Sequence, residues 1–305
     1  MFYHGRSMVR PQYREVLVKS ALTRVTGMGF GWSLNPYQGC VHGCVYCFAR
    51  AHAKLADRDP GEGFSTDIAV KVNLPQLLRQ ELSRPSWRHE RVAFGTATDP
   101  YQPIEGRYRL TRHCLEAFRD SWTPVGLITK GTMVIRDADV LAELATRTET
   151  TVCFSVPTVD EEVWRRTEPG TPPPRQRLRA LRELVAAGIT AGVGMAPILP
   201  GISDAPAQLE ATVAAAAEAG AGFLWANPVY LKPGTREYFL AFLDREYPHL
   251  RPSYDRLFPG AYVPARYKTA VQEQVGRLRD RHQVGTQPRP ARIQPVQPTQ
   301  LALIS

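Results

Sequence analysis

Short apolar runs alternate with amphipathic stretches through the middle of the chain. The apolar runs are typical of buried parallel strands, and they predict strands at 31–37, 91–95, 125–129, 151–156, 189–195 and 223–226. Apolar residues spaced three and four apart predict helices at 49–56, 75–82, 111–118, 137–146, 175–187 and 207–219. Gly188 and Gly220 follow two of these helices, where glycine commonly ends a helix. Six strand–helix repeats indicate right-handed parallel crossovers.

These repeats divide the chain into four segments. Residues 1–30 form an irregular basic lead-in with one candidate strand at 16–18. Six repeats are too few for a closed eight-stranded barrel, so residues 31–240 are predicted to form an α/β core, an open (β/α)6 partial TIM barrel. Residues 241–282 are predicted to form a C-terminal helical extension. The tail at 283–305 is rich in Pro, Gln and Arg and contains no acidic residue, a composition typical of disorder.

Composition and charge narrow the class of protein. Of 305 residues, 43% are hydrophobic and 22% charged, which is ordinary for a globular protein. No apolar run approaches the ~18 residues of a membrane span, so we expect a cytoplasmic protein without a membrane partner. The net charge is +9, which favours polyanions such as nucleic acid. The basic residues form no dense run, however, and charges spread over solvated faces would explain the same count.

Three of the five cysteines fall within eight residues. Cys40, Cys44 and Cys47 have the spacing Cys-x3-Cys-x2-Cys, which lets their thiolates converge on one inorganic centre. Gly39 and Gly43 provide the positive-φ freedom that a loop around such a centre needs.

Two other interpretations of the cysteines are weaker. A disulfide leaves one of the three cysteines unpaired. A zinc site lacks a fourth ligand unless His42 or His52 supplies it.

With Tyr46 as the aromatic, the motif Cys-x3-Cys-x-aromatic-Cys resembles the signature of the radical S-adenosylmethionine (radical SAM) enzymes. The resemblance implies that Cys40, Cys44 and Cys47 bind three irons of a [4Fe–4S] cluster, whose fourth iron chelates S-adenosylmethionine (AdoMet). It further implies reductive cleavage of AdoMet to a 5′-deoxyadenosyl radical, which abstracts hydrogen from a substrate. An open (β/α)6 barrel is the usual core of this superfamily. An electron donor such as a flavodoxin or a ferredoxin is an implied partner.

Polar residues at the predicted strand ends resemble the spore photoproduct lyase-like branch of this superfamily. The segment at 165–170 resembles the same branch. The resemblance implies AdoMet contacts for Tyr46, Thr98, Asp99, Lys130, Ser155 and Arg177. Taken without it, Thr98 and Asp99 fit turn residues and Arg177 fits a surface arginine.

The sequence departs from the lyase where the substrate is defined. Thr96 stands where the lyase has a cysteine that returns hydrogen to the product radical, and Phe48 stands where it has a tyrosine. The resemblance and the positive charge make damaged DNA a candidate substrate, but the same hydrogen relay is absent.

The two remaining cysteines, Cys114 and Cys153, are predicted to be inert core residues. They cannot supply a second three-cysteine site, which argues against a two-cluster enzyme of the methylthiotransferase kind. The alternative from another class is a nucleic-acid-binding protein with a structural iron–sulfur or zinc centre.

Overall fold

The computed structural model describes residues 10–286, so the predictions for 1–9 and for 287–305 of the tail lie outside the described residues. The strands are β1 Gln12–Val16, β2 Thr23–Arg24, β3 Trp32–Leu34, β4 Tyr37–Gln38, β5 Asp67–Lys71, β6 Val92–Phe94, β7 Val125–Thr129, β8 Thr151–Ser155, β9 Thr190–Ile198 and β10 Leu224–Pro228. The α-helices are α1 Ala49–Leu55, α2 Gly63–Thr66, α3 Leu74–Leu82, α4 Glu105–Tyr108, α5 Leu110–Asp120, α6 Ala138–Ala145, α7 Glu161–Thr167, α8 Pro174–Ala186, α9 Pro206–Glu218, α10 Thr235–Glu246, α11 Arg251–Leu257 and α12 Ala265–Arg281. Short 3₁₀ helices lie at Thr132–Asp137 and Pro248–Leu250.

The main sheet has seven strands in the order β10-β9-β8-β7-β6-β3-β2. In this sheet β2 is antiparallel to β3 at one edge, and all the other pairs are parallel; the parallel strands are β3, β6, β7, β8, β9 and β10. Within the described residues the edge strands β10 and β2 do not pair with each other, so the barrel is open. This arrangement confirms the predicted open (β/α)6 partial barrel, because its six parallel strands follow one another in chain order.

A second, three-stranded sheet was not predicted. It has the order β1-β5-β4, with β1 parallel and β4 antiparallel to β5. The strand expected at 16–18 instead occupies Gln12–Val16, and β5 has no counterpart among the predicted strands. The sequence of β1 is mostly polar and exposed, so its extended structure comes from pairing with β5 rather than from a hydrophobic pattern.

The main core lies between the sheet and its outer helices. Val152 and Phe154 of β8 are fully buried, and they belong to the same hydrophobic cluster as Leu178 and Leu181 of α8. This is the apolar helix face that the three- and four-residue spacing predicts. Gly188 follows α8 with φ of 81°, so its positive φ accounts for the predicted helix end.

The C-terminal helices cover two different parts of the barrel. The helix α12 buries Val271, Val275 and Leu278 in the main core. The helices α10 and α11 contribute to a separate cluster that also contains Cys44, Val45 and Tyr46. The C-terminal extension therefore supports the cysteine loop. No helix within residues 10–286 is long and apolar enough to span a bilayer.

Candidate active site

The cysteine loop, residues 40–47, runs from β4 to α1. Gly39 precedes it with φ of 84°, and the Cys40 amide donates to the Phe64 carbonyl at 2.9 Å. A Cβ added at Gly39 would lie 2.7 Å from the Asp67 carbonyl oxygen and 2.9 Å from that of Phe64. Glycine is therefore required here both by the backbone angle and by the closeness of the neighbouring chain.

We expect Gly39→Ala to destabilise the protein by ~1–3 kcal/mol, because alanine must adopt a positive φ and push against two carbonyl groups. Urea unfolding of the metal-free protein measures this. Gly276→Ala is the matched control, since no atom lies within 4 Å of a Cβ there and the position is inside α12. The control is expected to be neutral or slightly stabilising, and an equal loss in both variants would contradict the explanation.

All three loop cysteines are free thiols; Cys40 and Cys44 are buried and Cys47 is half-buried. Burial raises the pKa of Cys44 well above its usual range, and the positive charge of Lys130 opposes that rise. Burial likewise raises the pKa of Cys47, opposed in part by Arg50. Cysteines bind metal as thiolates, and the positive charges of Lys130 and Arg50 favour the thiolate form of Cys44 and Cys47.

No three His, Cys, Asp or Glu side chains among residues 10–286 are placed to hold a single metal ion together. A cubane cluster makes a different demand, because each cysteine binds a different iron. Three thiols on one short loop, without a fourth ligand in place among the described residues, fit a [4Fe–4S] cluster better than a zinc ion.

Distant segments hold the loop in place. The Val45 amide donates to the Thr167 carbonyl at 3.0 Å, at the end of α7. The Gly170 amide donates to the His42 carbonyl at 3.1 Å, and a Cβ at Gly170 would collide with the loop backbone. On the other side, the Thr235 hydroxyl donates to the Cys47 carbonyl at 3.0 Å.

A buried polar cluster lies beside the loop, centred on Glu168. The Tyr46 hydroxyl and the Arg177 guanidinium each donate to its carboxylate, and Lys130 Nζ lies 3.5 Å from Glu168 Oε1. Lys130 also donates to the Ser155 hydroxyl. Burial raises the pKa of Glu168, but Arg177 and Lys130 outweigh it and hold the pKa at about 2. The carboxylate is therefore ionised at neutral pH.

Asp99 joins the strand ends to the loop. Its oxygens accept from the Thr129 hydroxyl at 2.7 Å and from the Lys130 amide at 2.6 Å, and His42 Nδ1 lies at 3.4 Å. Burial raises the pKa of Asp99, but His42 and these donors hold it at about 2. Its neighbour Thr98 donates to the Gly39 carbonyl at 2.7 Å. Thr98 therefore holds the backbone just before the cysteine loop, and Asp99 holds His42 within the loop.

Arg177 is fully buried and not the surface arginine of the alternative interpretation. Its Nε donates to the Pro172 carbonyl and its Nη1 to the Ser155 carbonyl, both at 2.8 Å. The guanidinium therefore links the Glu168 carboxylate to the backbone of Ser155.

The structure brings together all the residues that the resemblance singled out. Tyr46 and Arg177 bond Glu168 directly, and Lys130 links Glu168 to Ser155. Asp99 contacts the Lys130 amide and His42 of the cysteine loop, and Thr98 contacts the Gly39 carbonyl just before the loop. The segment 165–170 resembles the lyase-like branch, but Glu168 within it was not among the residues predicted to contact AdoMet. The only sign of Glu168 in the sequence was an acidic residue placed between Thr167 and Pro169.

The other cysteines lie apart from the loop. Cys114 is buried in the main core, as predicted. Cys153 is also buried, and it lies two residues from Ser155 and therefore on the same face of β8. Burial raises its pKa to about 12, so it stays a thiol.

An open parallel barrel with a three-cysteine loop beside its strand ends is the architecture of an iron–sulfur enzyme. Residues 34–214 match the Radical SAM superfamily, and the chain belongs to this superfamily. It is a radical SAM enzyme, with a [4Fe–4S] cluster and AdoMet as cofactors. This membership argues against a binding protein with a merely structural centre.

Similar proteins agree with this assignment. An uncharacterized protein of Mycobacterium tuberculosis (strain ATCC 25618 / H37Rv) is 39% identical over 94% of this chain and 87% of its own length. A mutant of spore photoproduct lyase superposes with a TM-score of 0.68 at 17% identity, covering 90% of this chain and 80% of that one. Another lyase mutant, solved with AdoMet and dinucleoside spore photoproduct, gives 0.67 at 16% identity, covering 89% and 80%. These two likenesses establish a common fold.

Proposed function

We propose that Cys40, Cys44 and Cys47 bind the [4Fe–4S] cluster, and that the polar cluster around Glu168 receives AdoMet. The observation that carries this proposal is the position of Lys130, a cation beside the cysteine loop whose amine contacts Ser155. When bound, the cluster and AdoMet supply a 5′-deoxyadenosyl radical after one-electron reduction. A flavodoxin or a ferredoxin is the proposed donor of that electron.

The protein's own residues bind and orient AdoMet. The Lys130 ammonium pairs with the AdoMet carboxylate, since a partly buried cation favours an anion in a site from which water is largely excluded. The Ser155 hydroxyl and the Tyr46 ring complete this side of the site, and Arg177 supports it through Glu168. Thr98 and Asp99 are proposed to contact AdoMet beside the loop, where they bond the Gly39 carbonyl and the Lys130 amide.

We expect Lys130→Met to weaken AdoMet binding by ~10–100-fold, because a hydrogen bond to a charged group contributes ~1.5–3 kcal/mol. The fold is expected to survive, since Arg177 still neutralises Glu168. Equilibrium binding of AdoMet to the cluster-loaded protein measures the loss. Lys54→Met is the control, because Lys54 is half-exposed and pairs with Glu237 at 3.6 Å. An unchanged affinity in Lys130→Met would exclude Lys130 from the AdoMet site.

We further propose that the substrate is a nucleic acid. The net charge of +9 supports a polyanionic partner. A lyase of the same fold binds a dinucleoside photoproduct. Thr96 replaces the hydrogen-donor cysteine, and an O–H bond is too strong to donate hydrogen readily. The reaction is therefore proposed to differ from that of the lyase in how the product radical is quenched.

The test is anaerobic reconstitution followed by dithionite reduction in the presence of AdoMet, with 5′-deoxyadenosine as the product measured. Ultraviolet-irradiated, deuterated DNA is then added, and deuterium in the deoxyadenosine is measured by mass spectrometry. Deuterium transfer would support a nucleic-acid substrate, and unirradiated DNA is the control. Deoxyadenosine without transfer from either DNA would contradict the substrate while leaving the enzyme class intact. A stable cluster that never cleaves AdoMet would instead support a nucleic-acid-binding protein with a structural centre.

A further inference from the structure

Arg50 is a buried cation next to the cysteine loop and is not among the residues proposed to contact AdoMet. It is the second residue of α1, three positions after Cys47, and its relative exposure is 0%. Burying a guanidinium is costly unless its donors are satisfied and its charge is balanced. Its surroundings therefore indicate what this residue does.

The donors of Arg50 are satisfied by backbone carbonyls. Nε donates to Cys44 at 3.3 Å and Nη2 to Gly43 at 3.4 Å, so one side of the fork holds the middle of the cysteine loop. Nη1 donates to Pro60 at 2.8 Å and to Gly61 at 2.6 Å, which ties the loop to the segment before α2. All four acceptors are electrically neutral.

Two aromatic rings enclose the same guanidinium. Its central carbon lies 3.6 Å from the centroid of Tyr238 and 4.9 Å from that of Phe64. Such contacts stabilise a cation without neutralising it. Among the described residues no carboxylate lies within ion-pair distance of Arg50, and the nearby Glu62 instead accepts from the Tyr238 hydroxyl at 3.1 Å. Within residues 10–286 the positive charge of Arg50 thus has no acidic partner.

We infer that Arg50 is a positioning residue for the cysteine loop and that its charge raises the reduction potential of the cluster. Three thiolates make the loaded loop negative, and reduction adds one more negative charge. A buried cation close to the loop favours this reduced state, because charges interact strongly where the dielectric constant is low. The inference rests on the proposed ligation by Cys40, Cys44 and Cys47 and adds a group that controls its redox behaviour.

Arginine suits both parts of this role. The planar fork reaches carbonyls on two segments at once, which a lysine ammonium cannot do with the same geometry. The charge is permanent, since a guanidinium is not deprotonated in proteins. Lysine at this position would keep the charge and lose the fork, so the two contributions are separable by substitution.

The experiment compares wild type with Arg50→Gln, Arg50→Lys and Arg58→Gln after anaerobic reconstitution without AdoMet. Redox titration followed by electron paramagnetic resonance gives the midpoint potential, and iron analysis gives the cluster content. Arg58→Gln is the matched control, because it removes an equal charge from the same segment, where Arg58 is paired with Asp67 at 3.1 Å. Neither readout depends on AdoMet cleavage, so the proposed activity is tested separately.

In Arg50→Gln we expect the ratio of reduced to oxidised cluster at a fixed potential to fall about tenfold, equal to about 59 mV for one electron. Arg50→Lys is expected to keep the wild-type potential with a lower cluster content, and Arg58→Gln to match wild type in both. Loss of the cluster from Arg50→Gln alone would also support the role of the charge. Equal potentials in all four proteins, or an equal fall in Arg50→Gln and Arg58→Gln, would overturn the role of the charge, and wild-type cluster content in both Arg50 variants would overturn the positioning role. A wild type that holds no cluster would overturn the ligation and this inference together.

Discussion

Cys44→Ala protein, reconstituted anaerobically with iron and sulfide, is expected to lose at least about 100-fold of its AdoMet cleavage. Even supporting groups around metal sites cost 10–100-fold when they are removed, and Cys44 is proposed to be a direct ligand. With two cysteines remaining, one iron of the cluster loses its protein anchor. Iron content and deoxyadenosine formation under dithionite measure both consequences.

Cys114→Ala is the matched control for this experiment. It makes the same chemical change at a fully buried thiol in α5, away from the loop. We expect it to keep its cluster and its AdoMet cleavage while losing a modest amount of stability, because a small cavity is left in the core. Full iron content and cleavage in Cys44→Ala would refute the assigned ligand set.

Glu168→Gln is expected to lower the free energy of unfolding by about 3–5 kcal/mol, because removing one partner of a buried ion pair leaves the other charge unpaired. Two cations, Arg177 and Lys130, depend on this carboxylate. Urea unfolding of the metal-free protein measures the loss. Glu161→Gln is the control, since its ion pair with Arg165 on α7 is exposed and is expected to contribute less than ~1 kcal/mol.

The same substitution predicts a pH dependence. The pKa of Glu168 is lowered to about 2 in the folded protein, below its ordinary value near 4.5. Its stabilising contribution is therefore fully present above pH ~4.5 and is lost as the pH falls toward 2. The difference in stability between wild type and Glu168→Gln should shrink over that range, and a difference independent of pH would contradict the ionised pair.

The barrel could be predicted from the sequence because its strands are buried on both faces. In β8, Val152 and Phe154 point into the main core, and Cys153 between them is also buried, so the middle of the strand is a continuous apolar run. The three-stranded sheet offered no such signal. Residues of β1 are largely exposed, and its pairing with β5 joins segments 55 residues apart, which no local pattern records.

The site was predictable only where its residues lie close together in the sequence. Cysteine spacing is local, so the loop could be recognised within eight residues. Glu168 and Arg50 are charged residues in charged or helical segments, where solvent exposure is the ordinary expectation. Their burial depends on partners elsewhere: Glu168 meets Tyr46 across 122 positions of sequence. Only the folded chain brings Glu168 to the cysteine loop.

The bonds from Thr167, Gly170 and Thr235 to the cysteine loop set an order of events during biosynthesis. The loop leaves the ribosome early, but Thr235, which bonds the Cys47 carbonyl, follows 188 residues later. Because a chain emerges from its N-terminus, the nascent loop spends most of translation without the full set of these partners. Iron–sulfur delivery to this protein is therefore expected after translation, and ribosome-bound fragments that end before residue 167 should not retain a cluster.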